Sequence, residues 1–140
     1  MIDIYNYLGN WPEETKEARD KKLMILIPKE KALRVIHGRE NKSLMRFFIS
    51  NDRIHVGTLI INGGKMTDAE SHHGDEIFRV LKGDIQLKIL NDDDPGNAVF
   101  QDCFFIRRGQ VFLIPEGYKH QYFNLAKESA EILFAIAPGL

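Results

Sequence analysis

The chain has 140 residues, of which 44% are hydrophobic and 28% are charged, as is typical of a soluble globular domain with its own core. Its formal net charge is −1, so no broad basic field is available to attract nucleic acid or an anionic membrane, and neither is expected as a partner. The longest apolar run, near residues 23–27, is far shorter than the roughly 20 residues that span a bilayer.

The N-terminal residues lack a basic segment followed by an apolar segment, so no signal peptide is expected. Cys103 is the only cysteine and cannot form an internal disulfide, which fits a reducing compartment. We therefore expect a cytoplasmic protein. Nothing adjacent to Cys103 would activate its thiolate, and we predict that it is a small buried apolar residue.

One short helix is predicted over residues 12–22. Asn10 is a suitable N-cap, Pro12 suits the first turn, and Glu13 and Glu14 favour the positive end of the helix dipole. We assign residues 1–30 to an N-terminal extension made of this helix and a strand, and residues 31–140 to a barrel.

From residue 23 onward the pattern predicts β-strands. Short apolar segments, beginning with residues 23–27, recur between turn sequences, and several alternate with period two: Ile85, Leu87 and Ile89 share one face of their strand. Many short strands without intervening helices are typical of an all-β sandwich or small barrel. A barrel of this size has room for one small ligand.

The segment GGKMTDAESHHGDEIF carries the first cluster of metal-binding residue types. Glu70 and His72 are two residues apart and share a face of an extended backbone, whereas His73 points to the opposite face. A brief turn leads to Glu76, which begins the inward set of the next strand. One face therefore carries three nitrogen or oxygen donors within seven residues.

A second cluster lies downstream, after the tight turn at residues 115–117. His120, Tyr122 and Asn124 share a face of the segment HQYFN. Two clusters that point inward from separate hairpins can close a metal site at the mouth of a barrel.

Both clusters fall in motifs that resemble those of small single-domain cupins of the RmlC-like superfamily. The two motifs read Gly64-(five residues)-Glu70-Ser71-His72-(three residues)-Glu76-(six residues)-Gly83 and Gly109-(five residues)-Pro115-Glu116-Gly117-(two residues)-His120-(three residues)-Asn124. The resemblance covers about residues 44–138. It implies a double-stranded β-helix, or jelly-roll barrel, with His72, Glu76 and His120 at positions that bind metal in the family.

The chain departs from the first motif at Glu70, where the family has histidine. If Glu70 binds, the ligand set is Glu70, His72, Glu76 and His120, with two histidines and two carboxylates. If it does not bind, three ligands leave open positions, as a catalytic metal requires. Either set suits a divalent transition metal, namely Mn, Fe, Ni or Zn.

The resemblance implies a metal-dependent enzyme acting on a small polar molecule, of dioxygenase, isomerase, lyase or decarboxylase type. The candidate catalytic residues are Glu70 as a general base and Tyr122, which either lines the barrel or forms a hydrogen bond with the substrate. The alternative is a small-ligand-binding cupin module without catalysis. Bacterial 3-hydroxyanthranilate dioxygenases are somewhat similar, but they have histidine at the position of Glu70 and arginine at that of Asn124. His37 and His55 are predicted to be hydrogen-bonded polar residues outside the site.

A homodimer is predicted from the apolar residues on the outer face. If Glu76 faces inward, Ile77 and Leu81 face outward, as do Phe123 and Leu125, and such residues need a cover. Small cupins often pair through outer strands, and residues 23–27 are expected to supply the cover, from the same chain or from a neighbour.

Overall fold

The computed structural model describes residues 10–12, 14–90 and 100–137, and about half of these residues lie in nine β-strands. In chain order they are β1 Leu33–His37, β2 Ser43–Ser50, β3 His55–Ile61, β4 Asp75–Lys82, β5 Ile85–Leu90, β6 Phe100–Ile106, β7 Val111–Ile114, β8 His120–Phe123 and β9 Ala130–Ala137.

The strands form two antiparallel sheets. The larger has the order β1-β2-β3-β9-β4-β7, and the smaller has the order β6-β5-β8. The chain passes from the larger sheet to the smaller between β4 and β5, and again between β7 and β8. Strands that alternate between two facing sheets in this way build a double-stranded β-helix. The predicted all-β barrel with a short N-terminal helix is therefore confirmed.

The core lies between the two sheets and is built by strict alternation. Along β4 the even-numbered residues Glu76, Phe78 and Val80 are buried, while Ile77 and Arg79 are exposed. Apolar side chains from the facing strand β5 pack in the same core. Because Glu76 belongs to this inward face, a carboxylate lies at the end of an otherwise apolar row.

The helix α1, Glu14–Lys21, lies within the predicted range. Trp11 precedes it and exchanges backbone hydrogen bonds of 2.8 and 2.9 Å with Ser50, which ties the helix start to the end of β2. Glu13 and residues 1–9 fall outside the described residues, and the domain boundary near residue 30 stays a prediction. Among the described residues, no helix is long and apolar enough to cross a membrane.

The strand predicted at residues 23–27 was wrong. These residues have no regular secondary structure, and a 3₁₀ turn at Lys29–Lys31 follows them. Leu23, Met24 and Leu26 are all exposed. An apolar run becomes a strand only when a neighbouring edge accepts its backbone hydrogen bonds, and the sequence does not reveal that partner.

The buried position predicted for Cys103 was also wrong, because this side chain is exposed. On β6 the inward residue is Ile106, and Phe104 on the same face packs against Phe112 with ring centroids 4.9 Å apart. Alternation then turns Cys103 outward, where its Sγ accepts a hydrogen bond from Gln86 Nε2 at 2.9 Å.

Candidate metal centre

The segment before β4 is held beside β8 by backbone hydrogen bonds. The amide of Glu70 donates to the carbonyl of His120, and the amide of His120 donates back to the carbonyl of Glu70, both at 2.9 Å. Thr67 donates in the same way to the carbonyl of Tyr122, also at 2.9 Å. This pairing brings the two sequence motifs together, although 50 residues separate them.

A second set of contacts fixes the turn between His72 and Glu76. Glu116 Oε1 accepts hydrogen bonds from the amide of Gly74 at 3.1 Å and from Nδ1 of His73 at 3.2 Å. The amide of Glu116 donates to Asp75 Oδ1 at 2.9 Å. The side chain of His73 is 64% exposed, so it points away from the interior, as alternation predicted.

His72, Glu76 and His120 converge inside the barrel. One possible ligand atom from each lies within 4.8 Å of those of the other two, and all three residues are buried. Nε2 of His72 is 3.2 Å from Glu76 Oε1, and Nε2 of His120 is 3.7 Å from Glu76 Oε2. Two imidazoles and one carboxylate at these separations form a compact donor set for a transition metal.

The hydrogen bonds of both histidines leave Nε2 directed at the cluster. Nδ1 of His72 donates to the carbonyl of His73 at 3.1 Å, and Nδ1 of His120 donates to the carbonyl of Tyr118 at 2.9 Å. A carbonyl only accepts, so in the neutral ring the lone pair lies on Nε2, the arrangement usual for metal-binding histidines. Nε2 of His120 is buried and has no hydrogen-bond partner among the described residues. The residues therefore fit a metal.

The electrostatics of the cluster keep its charges paired. Burial lowers the pKa of His72, but the hydrogen bond to Glu76 and its negative charge outweigh burial and raise that pKa to about 9. Burial raises the pKa of Glu76, but the hydrogen bond from His72 and the nearby His120 together bring it below its usual value. Glu76 is therefore ionised at neutral pH, whereas Nε2 of His72 carries a proton that it donates to Glu76. A metal that bound there would displace this proton, because both need the same lone pair.

Tyr122 lies on β8 with its ring in the core. Its hydroxyl donates a hydrogen bond to Glu76 Oε2, and its ring packs edge-on against Phe78 at a centroid distance of 5.2 Å. The contact orients the carboxylate of Glu76. The catalytic role suggested for Tyr122 stays a prediction.

Glu70 is close to the cluster but bonded elsewhere. Its Oε2 accepts a hydrogen bond of 2.6 Å from Nε2 of His37, the last residue of β1. Burial lowers the pKa of His37, but the hydrogen bond and charge of Glu70 raise it above its ordinary value. Whether Glu70 acts as a ligand or a base stays a prediction. The sequence interpretation placed His37 outside the site, because this residue belongs to no motif. Alternation along β1 puts His37 on the same face as Leu33, and this was the one sequence signal that it points inward.

Comparison with known proteins agrees with this geometry. A family model described as a cupin domain matches residues 57–136, which is more than half of the chain. The chain belongs to the cupin family. The match includes both motifs and all three residues of the buried cluster.

Curated relatives of this cupin include two kinds of oxidative enzyme. It is 38% identical over 58 residues to oxalate oxidase GF-2.8 of Triticum aestivum, covering 41% of this chain and 25% of the relative. It is 35% identical over 85 residues to 3-hydroxyanthranilate 3,4-dioxygenase of Meyerozyma guilliermondii, covering 58% and 47%. The chain thus spans between a quarter and a half of the length of these relatives.

Solved structures of similar fold include an oxalate oxidase in complex with the substrate analogue glycolate. It has a TM-score of 0.52 and 28% identity, covering 61% of this chain and 44% of the other. A cupin from Methanocaldococcus jannaschii has a TM-score of 0.58 and 14% identity, covering 81% and 94%. The second likeness supports the double-stranded β-helix fold alone.

Asn124, the last residue of the second motif, forms side-chain hydrogen bonds with the backbone of neighbouring segments. Its side-chain amide donates to the carbonyls of Ile61 at 3.0 Å and Glu128 at 2.8 Å, and its Oδ1 accepts from the amide of Ala126 at 3.1 Å. All its contacts tie the end of β8 to neighbouring backbone. His55, the other buried histidine, is hydrogen-bonded to Ser50 at 2.9 Å.

Proposed function

We propose that this cupin is a metal-dependent enzyme that oxidises a small carboxylate with O2 as the electron acceptor, and that His72, Glu76 and His120 are the protein ligands of a redox-active Mn or Fe ion. The observation that carries the proposal is Nε2 of His120, which is buried, directed at two other donors and without a hydrogen-bond partner among the described residues. A buried polar atom in that state costs free energy unless something binds it.

Three protein ligands suit a catalytic centre because they leave coordination positions for a substrate. A divalent metal there supplies Lewis acidity to a bound oxygen donor. The protein's own contributions are the Nδ1 hydrogen bonds that direct both imidazoles and the Tyr122 hydroxyl that orients Glu76. Glu70, whose backbone pairs with that of His120 and whose side chain is only 18% exposed, is the candidate general base for a bound substrate.

The names of the relatives support the substrate class. Oxalate and 3-hydroxyanthranilate are both small carboxylates, and both relatives are named for oxidative reactions. Asn124 stands where bacterial 3-hydroxyanthranilate dioxygenases are expected to have arginine, and it is occupied with backbone contacts. A compact aliphatic carboxylate is therefore the better candidate substrate than 3-hydroxyanthranilate.

Metal content tests the site. Protein purified without a metal-chelating tag should contain nearly one equivalent of transition metal by elemental analysis. His120→Ala removes the donor from β8 and should lower the occupancy to a few per cent. His73→Ala is the matched control, because it removes an exposed histidine one residue from a ligand and should leave the occupancy unchanged. Equal metal content in the two variants refutes the site.

Oxygen consumption tests the reaction class. The protein loaded separately with Mn or Fe is mixed with oxalate, glycolate and 3-hydroxyanthranilate in an oxygen electrode. We expect turnover with an aliphatic carboxylate and none in His120→Ala. Full metal occupancy without turnover on any of them favours the alternative, a small-ligand-binding module without catalysis.

A further inference from the structure

We propose that His37 is a positioning residue that holds Glu70 away from the metal, so that the centre keeps three protein ligands and an open face. The proposal rests on the metal site proposed above. It assigns a role to a histidine that belongs to neither cupin motif and lies on a different strand from every ligand.

The backbone places Glu70 where it would otherwise reach the metal. Glu70 and His120 exchange both of their backbone hydrogen bonds, so they are directly opposite each other in an antiparallel pair. Side chains of opposite residues leave the same face of the pair, with Cβ atoms about 4.5–5.5 Å apart. Since His120 points to the cluster, the side chain of Glu70 leaves the backbone on the same side as that of His120.

The side chain of His37 forms a hydrogen bond with the carboxylate of Glu70. Its Nε2 is 2.6 Å from Glu70 Oε2, slightly shorter than the range of about 2.7–2.9 Å for charge-assisted N–H···O hydrogen bonds. His37 is buried, and its Nδ1 has no hydrogen-bond partner among the described residues. The ring is therefore held through its Nε2, by the hydrogen bond to Glu70. The inward-pointing His37 is therefore paired with Glu70, which stands where the family motif has a histidine.

The strand that carries His37 is fixed relative to Glu70. The turn after β1 is tied to Asp68, whose carboxylate accepts hydrogen bonds from the amides of Arg39 at 2.6 Å and Asn41 at 2.7 Å. Asp68 is two residues before Glu70 in the same segment. The distance between His37 and Glu70 is thus set by the backbone at both ends.

The test compares metal binding by wild type, His37→Phe, Glu70→Gln and the double variant. Mn²⁺ affinity is measured by calorimetry, and the visible absorption of the Co²⁺-loaded protein reports the ligand field. Freed from its partner, Glu70 should become a fourth protein ligand in His37→Phe. We expect about tenfold tighter Mn²⁺ binding, the scale of effects from groups that contact metal ligands. The Co²⁺ bands should shift, because a carboxylate oxygen replaces a solvent ligand and changes the ligand field.

The Glu70→Gln changes identify the cause. In the double variant, Glu70→Gln should return the Mn²⁺ affinity and the Co²⁺ spectrum to their wild-type values. As a single change, Glu70→Gln should alter neither the affinity nor the spectrum. His55→Phe is the matched control, because it removes another buried histidine that is hydrogen-bonded to a neighbouring side chain; it should leave affinity and spectrum unchanged.

The outcomes separate this proposal from the metal site itself. Absence of metal from the wild type refutes both. A metal-binding wild type whose affinity falls in Glu70→Gln shows that Glu70 is already a ligand and overturns only the role of His37. Wild-type readouts in a folded His37→Phe overturn it as well. If His37→Phe does not fold, His37→Gln takes its place in the same comparison, because its neutral amide holds the Glu70 carboxylate less strongly than an imidazolium does. Wild-type readouts in that folded variant overturn the role of His37.

Discussion

Tyr122 is the residue that joins the apolar core to the ligand set. Its hydroxyl donates to Glu76 Oε2, while its ring is packed against Phe78 and is 3% exposed. A hydrogen bond to a ligating carboxylate fixes its orientation, and groups of this kind change metal affinity by about 10–100-fold when they are removed.

Tyr122→Phe should therefore weaken metal binding by about tenfold and keep the fold, since the ring and its packing remain. The metal-free protein should lose about 1 kcal/mol of unfolding free energy with the buried hydrogen bond. Calorimetric metal titration and urea unfolding measure the two effects. Tyr118→Phe, at a half-exposed position in the preceding turn, is the control and should change neither. An unchanged affinity in Tyr122→Phe would show that Glu76 is oriented without the hydroxyl.

The turn between β1 and β2 is the element that brings His37 to the site. Gly38 has φ +107, and a Cβ there would lie 2.1 Å from the carbonyl oxygen of Asn41, so only glycine fits. The carboxylate of Asp68 accepts hydrogen bonds from backbone amides of this turn, and it accepts another from Nδ2 of Asn41 at 3.0 Å. Burial raises the pKa of Asp68, but these hydrogen bonds outweigh it and bring the pKa below the ordinary value.

Asp68→Asn should destabilise the protein by about 1–2 kcal/mol, because an amide oxygen accepts less strongly than a carboxylate from the same N–H groups. The sign of the pH dependence follows from the depressed pKa. The contribution of Asp68 is fully present above its unfolded pKa and is lost as pH falls through the lower folded pKa. The stability gap between wild type and Asp68→Asn should thus be constant near neutrality and narrow below about pH 4.

Chemical unfolding at pH 7 and at pH 3 measures that gap. Asp52→Asn is the control, since Asp52 makes an exposed ion pair with Arg19 at 2.7 Å and should have little effect at pH 7. A gap that widens in acid would contradict the assignment of Asp68 as a carboxylate stabilised by the turn.

The outer face of the larger sheet is a feature of the whole molecule. Ile77 on β4 is directly opposite Leu113 on β7 and Ala135 on β9, and Val111 and Leu133 both pair with Arg79. Four of these side chains are exposed and apolar: Ile77, Val111, Leu113 and Leu133. Residues 23–27 were expected to cover this face. Their own side chains are largely exposed, and the exposed fractions of Met24 and Leu26 are above 90%.

We propose that a second copy of the chain covers this face, giving a homodimer. Light scattering at micromolar concentration should return twice the 16.1 kDa of one chain. Leu113→Lys places a charge in the middle of the face without changing the core and should shift the mass to that of the monomer. Arg108→Glu, in the exposed turn before β7, is the control and should leave the dimer intact. A wild-type mass of about one chain rejects the proposal.

The all-β class and the inward faces of the two clusters followed from local information, whereas the jelly-roll barrel and its metal-binding positions followed from the resemblance to the cupin motifs. Period-two alternation along β4 and β5 predicted which residues enter the core, and turn sequences separated the strands. The same alternation predicted that His72 and Glu76 face inward and that His73 does not. These properties depend on the direction of successive side chains along one strand, which the covalent chain itself dictates.

Contacts between distant segments were decided only by tertiary structure. The pairing of Glu70 with His120 spans 50 residues, and that of His37 with Glu70 spans 33. No spacing rule predicts such contacts, because they depend on which strand edges meet when the two sheets close. For the same reason residues 23–27 formed no strand. The sequence determined which residue types could bind a metal, and the closure of the barrel determined that three converge while Glu70 is bonded to His37.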